Sequence, residues 1–226
     1  DVLWAAVIAA NQVMVETRAS VNAYLAFAAA VDEMNETADS YYDTASVKAQ
    51  TAFDEKKDVT AEDLTTEEIE ALTVQVKEVT ALLKIPAYDN ASDETPVDMT
   101  SVIVNNGFEE GNLNGWTNSG TIDAQSQNNT SFDNKQGTYY AEKWHVNGTV
   151  DLNQTIANLP AGTYDITAYV YSSATDCILY ANDGSVAVTT SGLYTVTVKL
   201  EEGADLKFGV SWSDSGDKWT CMDEFT

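Results

Sequence analysis

The chain has 226 residues, 44% apolar and 21% charged, a composition that supports a globular core. Its net charge of −25 is spread over the whole length: residues 1–96 carry 6 Lys/Arg against 19 Asp/Glu, and residues 97–226 carry 5 against 17. Acidity this uniform excludes nucleic acid and anionic membrane surfaces as partners, and no apolar run is long enough to insert into a bilayer.

Residues 1–85 contain neither Gly nor Pro, which leaves helix as the natural state of the first part of the chain. Leu3, Val7, Ala10, Met14, Thr17, Val21, Tyr24, Ala28, Val31, Ala38 and Tyr42 recur at helical spacing, predicting the buried seam of a long helix with a break near Ser20. Leu3–Ala10 is apolar like a signal-peptide core, but no basic segment precedes it and its spacing runs on into the helix. The chain therefore reads as a mature or excised fragment. Asp43 is the expected N-cap of a second helix carrying Ala45, Ala49, Ala52 and Phe53. Thr65 with Glu68 forms a capping-box pattern ahead of a third helix with Ile69, Leu72, Val76, Val79 and Leu83 on its buried face, ended by Pro86. An antiparallel three-helix bundle over residues 1–88 follows. Thr65-Thr66-Glu67-Glu68-Ile69 and its Ala/Leu flanks resemble the FIVAR-type helical modules of bacterial surface proteins, which implies a spacer. Residues 89–98, with Asp89, Asn90, Ser92, Asp93, Glu94 and Pro96, read as a polar linker and lack the spacing of an EF-hand loop.

All twelve glycines lie from Gly107 onward, and short alternating segments fill residues 99–226. Tyr164, Ile166, Ala168 and Val170 share one face of a strand; Tyr194, Val196, Val198 and Leu200 share another; Leu206, Phe208, Val210 and Trp212 a third. Further strands are expected at 138–146, 149–156, 177–181, 185–190 and 218–226. This pattern predicts two packed antiparallel sheets, a β-sandwich. A strand over Val102–Val104 is expected to enter the turn Asn105-Asn106-Gly107-Phe108-Glu109, with Phe108 in the core and Gly115-Trp116 closing the loop.

Catalytic equipment is scarce. His145 is the only histidine, and no metalloprotease, nucleophile-elbow, P-loop or dinucleotide motif occurs. Neighbouring carboxylates such as Glu109/Glu110 and Asp223/Glu224 point to opposite faces of a strand, unlike the facing pair of a glycosidase. Cys177 and Cys221 either pair or stay as buried thiols, and their spacing excludes a zinc knuckle. Pyranose rings stack on exposed aromatics. Trp116 and Trp212 are in phase with the core, whereas Tyr169 and Tyr171 are out of phase and Trp144 lies among Glu142, Lys143, His145 and Asn147. Trp144, Tyr169 and Tyr171 are therefore the candidate sugar platform.

Three pieces of the second half stand in a telling order: Asn106-Gly107-Phe108-Glu109 with Gly115-Trp116, then Gln154-Thr155-Ile156-Ala157-Asn158-Leu159-Pro160-Ala161-Gly162-Thr163-Tyr164, then Met222-Asp223-Glu224-Phe225. Together they resemble secreted carbohydrate-binding modules with a galactose-binding-like jelly roll, of the family-four and family-nine types. The resemblance implies a jelly-roll topology and a non-catalytic, monomeric glycan-binding or adhesion module. It would belong to a secreted or surface-anchored bacterial protein and bind a cell-surface polysaccharide or other glycan. A structural or protein-binding scaffold, and an accessory module of a larger glycoside hydrolase, are the alternatives. The resemblance also implies a structural calcium ion (Ca2+) held by Glu109 and Asp223, against the plainer reading of both as solvated carboxylates.

Overall fold

A computed structural model describes residues 2–88, 90–119, 122–125, 132–213 and 216–226; Asp89 of the expected linker lies outside them. The chain divides into two compact units, Asp1–Asp98 and Met99–Thr226, each with its own buried core.

The first unit contains three helices: α1 (Val2–Tyr41), α2 (Val47–Lys56) and α3 (Thr66–Leu83). Helix α3 packs against both others. It begins with the expected capping box: Thr65 Oγ1 accepts the Glu68 amide at 3.3 Å while Glu68 Oε2 accepts the Thr65 amide at 2.8 Å. The cap of α2 is Ser46, not Asp43; Ser46 Oγ accepts the Ala49 amide. The reason lies in the chain beyond α3. Pro86 bridges to Ala45, the Ser46 amide donates to Ile85 O, and the Ala87 amide donates to Thr44 O, so Asp43 is left inside a turn.

Helix α1 differs from expectation in two ways. It runs unbroken through Ser20, and its buried residues are Ala23, Phe27, Ala30, Met34, Thr37 and Ala38. Ala38 lies on the predicted stripe, with Val31 and Tyr42 packed beside the core, whereas Ala23, Phe27 and Ala30 lie one position round from it. Length sets the first limit. At 1.5 Å per residue an 18-residue α3 covers about 27 Å of a 40-residue α1 spanning about 60 Å, so none of residues 2–22 is buried. Phase sets the second. Two apolar stripes run side by side on α1, and the core of the unit takes the one that carries Ala23, Phe27, Ala30 and Met34.

The second unit opens with a short 3-10 turn, Thr100–Val102, followed by strands β1 (Thr117–Ser119), β2 (Asp123–Gln125), β3 (Tyr140–Val146), β4 (Val150–Leu159) and β5 (Gly162–Ser172). Strands β6 (Ile178–Ala181), β7 (Gly184–Ala187), β8 (Gly192–Leu200), β9 (Ala204–Trp212) and β10 (Gly216–Asp223) complete it. They form two antiparallel sheets, ordered β1-β4-β9-β6-β7 and β2-β3-β10-β5-β8, packed as a jelly-roll β-sandwich. The buried faces follow the alternation in the sequence: Ile166, Ala168 and Val170 on β5, Val196 and Leu200 on β8, Leu206, Phe208, Val210 and Trp212 on β9. Gly209 lets β4 and β9 approach, since a Cβ there would strike Leu152 O.

The expected strand at Val102–Val104 is absent among the described residues. A side chain takes its place: Gln154 Oε1 accepts the Val104 amide at 2.9 Å and Gln154 Nε2 donates to Val104 O at 3.0 Å. One buried amide therefore does for Val104 what a neighbouring strand would have done. Trp116 Nε1 donates to Val104 O and Asn105 O, and its ring joins Phe108, Phe208 and Phe225 in one aromatic cluster at centroid distances of 4.6–6.2 Å.

Candidate functional site

The second sheet has an inner face, carrying Ala141, Met222 and Val170 in the shared core, and an outer face set by the same register. Trp144 lies opposite Trp219, Glu142 opposite Cys221, and Cys221 opposite Tyr171; Asp223 lies opposite Tyr169. Residues directly opposed across a ladder share a face. The outer face therefore brings together Trp144, Trp219, Tyr171 and Tyr169, with Asp123 and Gln125 of β2 beside Glu142 and Tyr140.

These aromatics are not equivalent. Trp144 is 51% exposed and stands edge-to-face on Trp219, centroids 5.4 Å apart. Trp219 is half-buried, and its Nε1–H has no acceptor among the described residues. Tyr169 and Tyr171 are half-buried against a small second core of Phe132, Tyr140 and Cys221. Phe132 packs on Tyr140 at 5.5 Å and covers the middle of the face. Beneath it Tyr140 Oη donates to Glu142 Oε2 at 3.1 Å and Cys221 Sγ lies 3.5 Å from the same oxygen. The open part of the platform is thus the Trp144–Trp219 end. Trp219 had no assigned role in the sequence reading; what marks it is its two-residue phase with Cys221 and Asp223. Asp123 and Gln125 had no signal, because a three-residue strand is too short for alternation to register.

The carboxylates meet at one end of the sandwich. Phe108 takes φ +58° and Glu224 φ +50°, left-handed conformations that side chains adopt at a cost, and the wholly buried rings of Phe108 and Phe225 hold both turns in place. Glu109, set by the first turn, accepts the amides of Thr138 and Tyr139 at 2.9 Å. Asp223, set by the last strand, accepts the amides of Gln136 and Glu224 at 2.8 and 2.9 Å. Glu109 and Asp223 therefore grip one segment, 136–139, from two sides. Gly137 sits within that grip at φ +55°, where a Cβ would overlap the Glu109 carboxylate. Burial pushes the Asp223 carboxyl up to about 7; the two amides it accepts act the other way, and the nearby Glu224 and Glu109 charges raise it further. Asn105, Asn106, Gly107, Glu109, Glu110 and Glu224 line an open depression of about 390 Å³. Among the described residues no group of three or more His, Cys, Asp or Glu is arranged to hold a metal ion.

Both cysteines are buried and free. Burial pushes the Cys177 thiol up to about 12, which leaves it protonated and a poor nucleophile. His145 meets Asp217, Nδ1 to Oδ1 at 2.8 Å, while Cys221 faces Glu142, so His145 and Cys221 do not form a nucleophilic pair.

No protein-family description matches the chain, and no curated protein does. Solved structures do. A family-61 carbohydrate-binding module, determined in complex with β-1,4-galactotriose, is 26% identical over 54% of this chain and 92% of its own, with a TM-score of 0.44. A family-16 carbohydrate-binding module is 18% identical over 55% and 96%, with a TM-score of 0.43. A xylan-binding family-22 module from Paenibacillus barcinonensis is 17% identical over 53% and 88%, with a TM-score of 0.38.

Proposed function

We propose that the second unit is a non-catalytic glycan-binding module whose platform is the outer face of the second sheet, and that the helical unit serves as its spacer on a secreted or surface-anchored protein. The observation that carries this reading is Trp144, half exposed on β3 and buttressed by Trp219 of the neighbouring β10. A large indole face left to water on a sheet costs solubility without adding to the core, and it matches the C–H face of a pyranose. Asp123, Gln125, Asp217 and His145 border the same face or its bulged end and supply partners for ring hydroxyls. Tyr169 and Tyr171 stand behind the stacking pair, where they shape the floor.

Titration of the full chain against soluble β-linked oligosaccharides tests this. Trp144→Ala is expected to lower affinity at least tenfold while unfolding stability stays within about 0.5 kcal/mol, as exposed substitutions usually do. Retained affinity in Trp144→Ala overturns the platform. A wild-type chain that binds no member of the panel favours the scaffold reading instead.

We further propose that a structural calcium ion bridges Glu109 and Asp223. The buried Asp223 carboxyl, crowded by two like charges, supports this, since a hard cation offsets both burial and repulsion. Two carboxylates are few for calcium, so backbone carbonyls and water complete the shell. Calcium at a hundredfold excess over its dissociation constant adds about 2.7 kcal/mol. Excess EDTA should therefore lower the melting temperature of the sandwich, and Glu109→Gln should remove that sensitivity. An identical melting curve with and without EDTA overturns the calcium site.

A further inference from the structure

Residues 2–22 of α1 are all exposed, yet they are among the most apolar of the chain. Leu3 is 79% exposed, Met14 64%, Val21 52% and Tyr24 54%. Residues 2–15 carry no charge at all, and residues 2–31 carry only Glu16 and Arg18, in a chain of net charge −25. Elsewhere two copies of this molecule repel one another; along this stretch they do not.

The exposed stripe is also ordered. Leu3, Val7, Ala10, Met14, Thr17, Val21, Tyr24 and Ala28 follow the 3-4 spacing of a heptad repeat, the spacing that lets a second helix stay in register along the whole length. Its sizes are self-complementary in one arrangement. Laid antiparallel on itself about a two-fold axis between Val15 and Glu16, the stripe sets Leu3 against Ala28, Val7 against Tyr24, Ala10 against Val21 and Met14 against Thr17. Three of the four layers pair a bulky residue with a small one, as interlocking seams require, and each layer recurs on the other side of the axis. The arrangement also brings Arg18 of each copy within about one helical turn of Glu16 in the other. We propose that this face of α1 docks a second copy of the chain, forming an antiparallel helical pair about 39 Å long between Leu3 and Ala28. The resemblance implies a monomer, and the predicted bundle seam places this stripe inside; the structure leaves Leu3 to Tyr24 of it exposed.

Sedimentation equilibrium of the full chain at micromolar concentration tests the pairing. The expected mass is twice the 24.5 kDa of one chain. Val7→Glu combined with Val21→Glu should halve that mass with far-UV circular dichroism at 20 °C retained, because both residues are exposed in the single chain. Orientation is read by mixing Val7→Cys with Tyr24→Cys chains under oxidation: the antiparallel pair gives the mixed disulfide and leaves each variant alone uncrosslinked. A wild-type mass of one chain, a mass above two chains, a dimer indifferent to the glutamates, or a Val7→Cys homodisulfide would each overturn the proposal.

Discussion

Phe225→Ala should cost the sandwich about 3–5 kcal/mol, the range for emptying a buried aromatic site. Phe225 is wholly buried and its ring meets Phe108, Trp116 and Phe208 at once. Its backbone is equally engaged: the Phe225 amide donates to Asn106 O, and Asn106 Nδ2 donates to Phe225 O. The truncation therefore opens a cavity where the first loop, β9 and the chain after β10 converge, and little around it is free to collapse. Set against a domain stability of about 5–15 kcal/mol, the loss is a large fraction of the total. Urea unfolding of the full chain, followed by near-ultraviolet circular dichroism, is the measurement. A midpoint unchanged from wild type would mean that this cluster is not the keystone of the unit.

The contribution of Asp223 to the stability of the sandwich should fall as pH rises, opposite in sign to that of a carboxylate paired in the fold. In the unfolded chain Asp223 releases its proton near 3.8, whereas in the fold burial holds the proton up to about 7. Between those values the folded state binds the extra proton, so the stability from this residue is full below about 3.8 and is lost as pH climbs through about 7. In EDTA, the unfolding midpoint should fall between pH 5 and pH 8, and Asp223→Asn should flatten that slope. Calcium favours the ionised carboxylate, so adding it should flatten the wild-type curve as well. A slope that survives intact in Asp223→Asn would assign the effect to other groups.

Most of the sandwich was legible because its strands are long enough to alternate. β5, β8 and β9 bury the residues that a period of two selects, and the capping box of α3 forms as Thr65 and Glu68 require. What was not legible depended on partners distant in sequence. The strand read into Val102–Val104 had the right composition, but Gln154, fifty residues on, took the pairing. The seam of α1 was misplaced because two apolar stripes share that helix and only the length and approach of α3 choose between them. At the candidate site, Trp144 stood out by its polar neighbours. Its stacking partner Trp219 and the polar edge of β2 emerge only from cross-strand register, and the Phe132 cover over Tyr140 and Cys221 only from tertiary packing.

Strand β10 comes last in the unit, yet it lies in the middle of its sheet, between β3 and β5. Until its residues are available, that sheet exists only as two unconnected pairs, β2 with β3 and β5 with β8, each showing an apolar face and an unpaired edge. As the chain emerges during synthesis, the sandwich must therefore wait for its final ten residues or so before it can close, which is the slow, long-range order of assembly expected of such topologies. For the same reason, clipping the end of the unit does not trim an edge. It removes the strand that joins the halves, and it uncovers the stretches most able to bind their own kind.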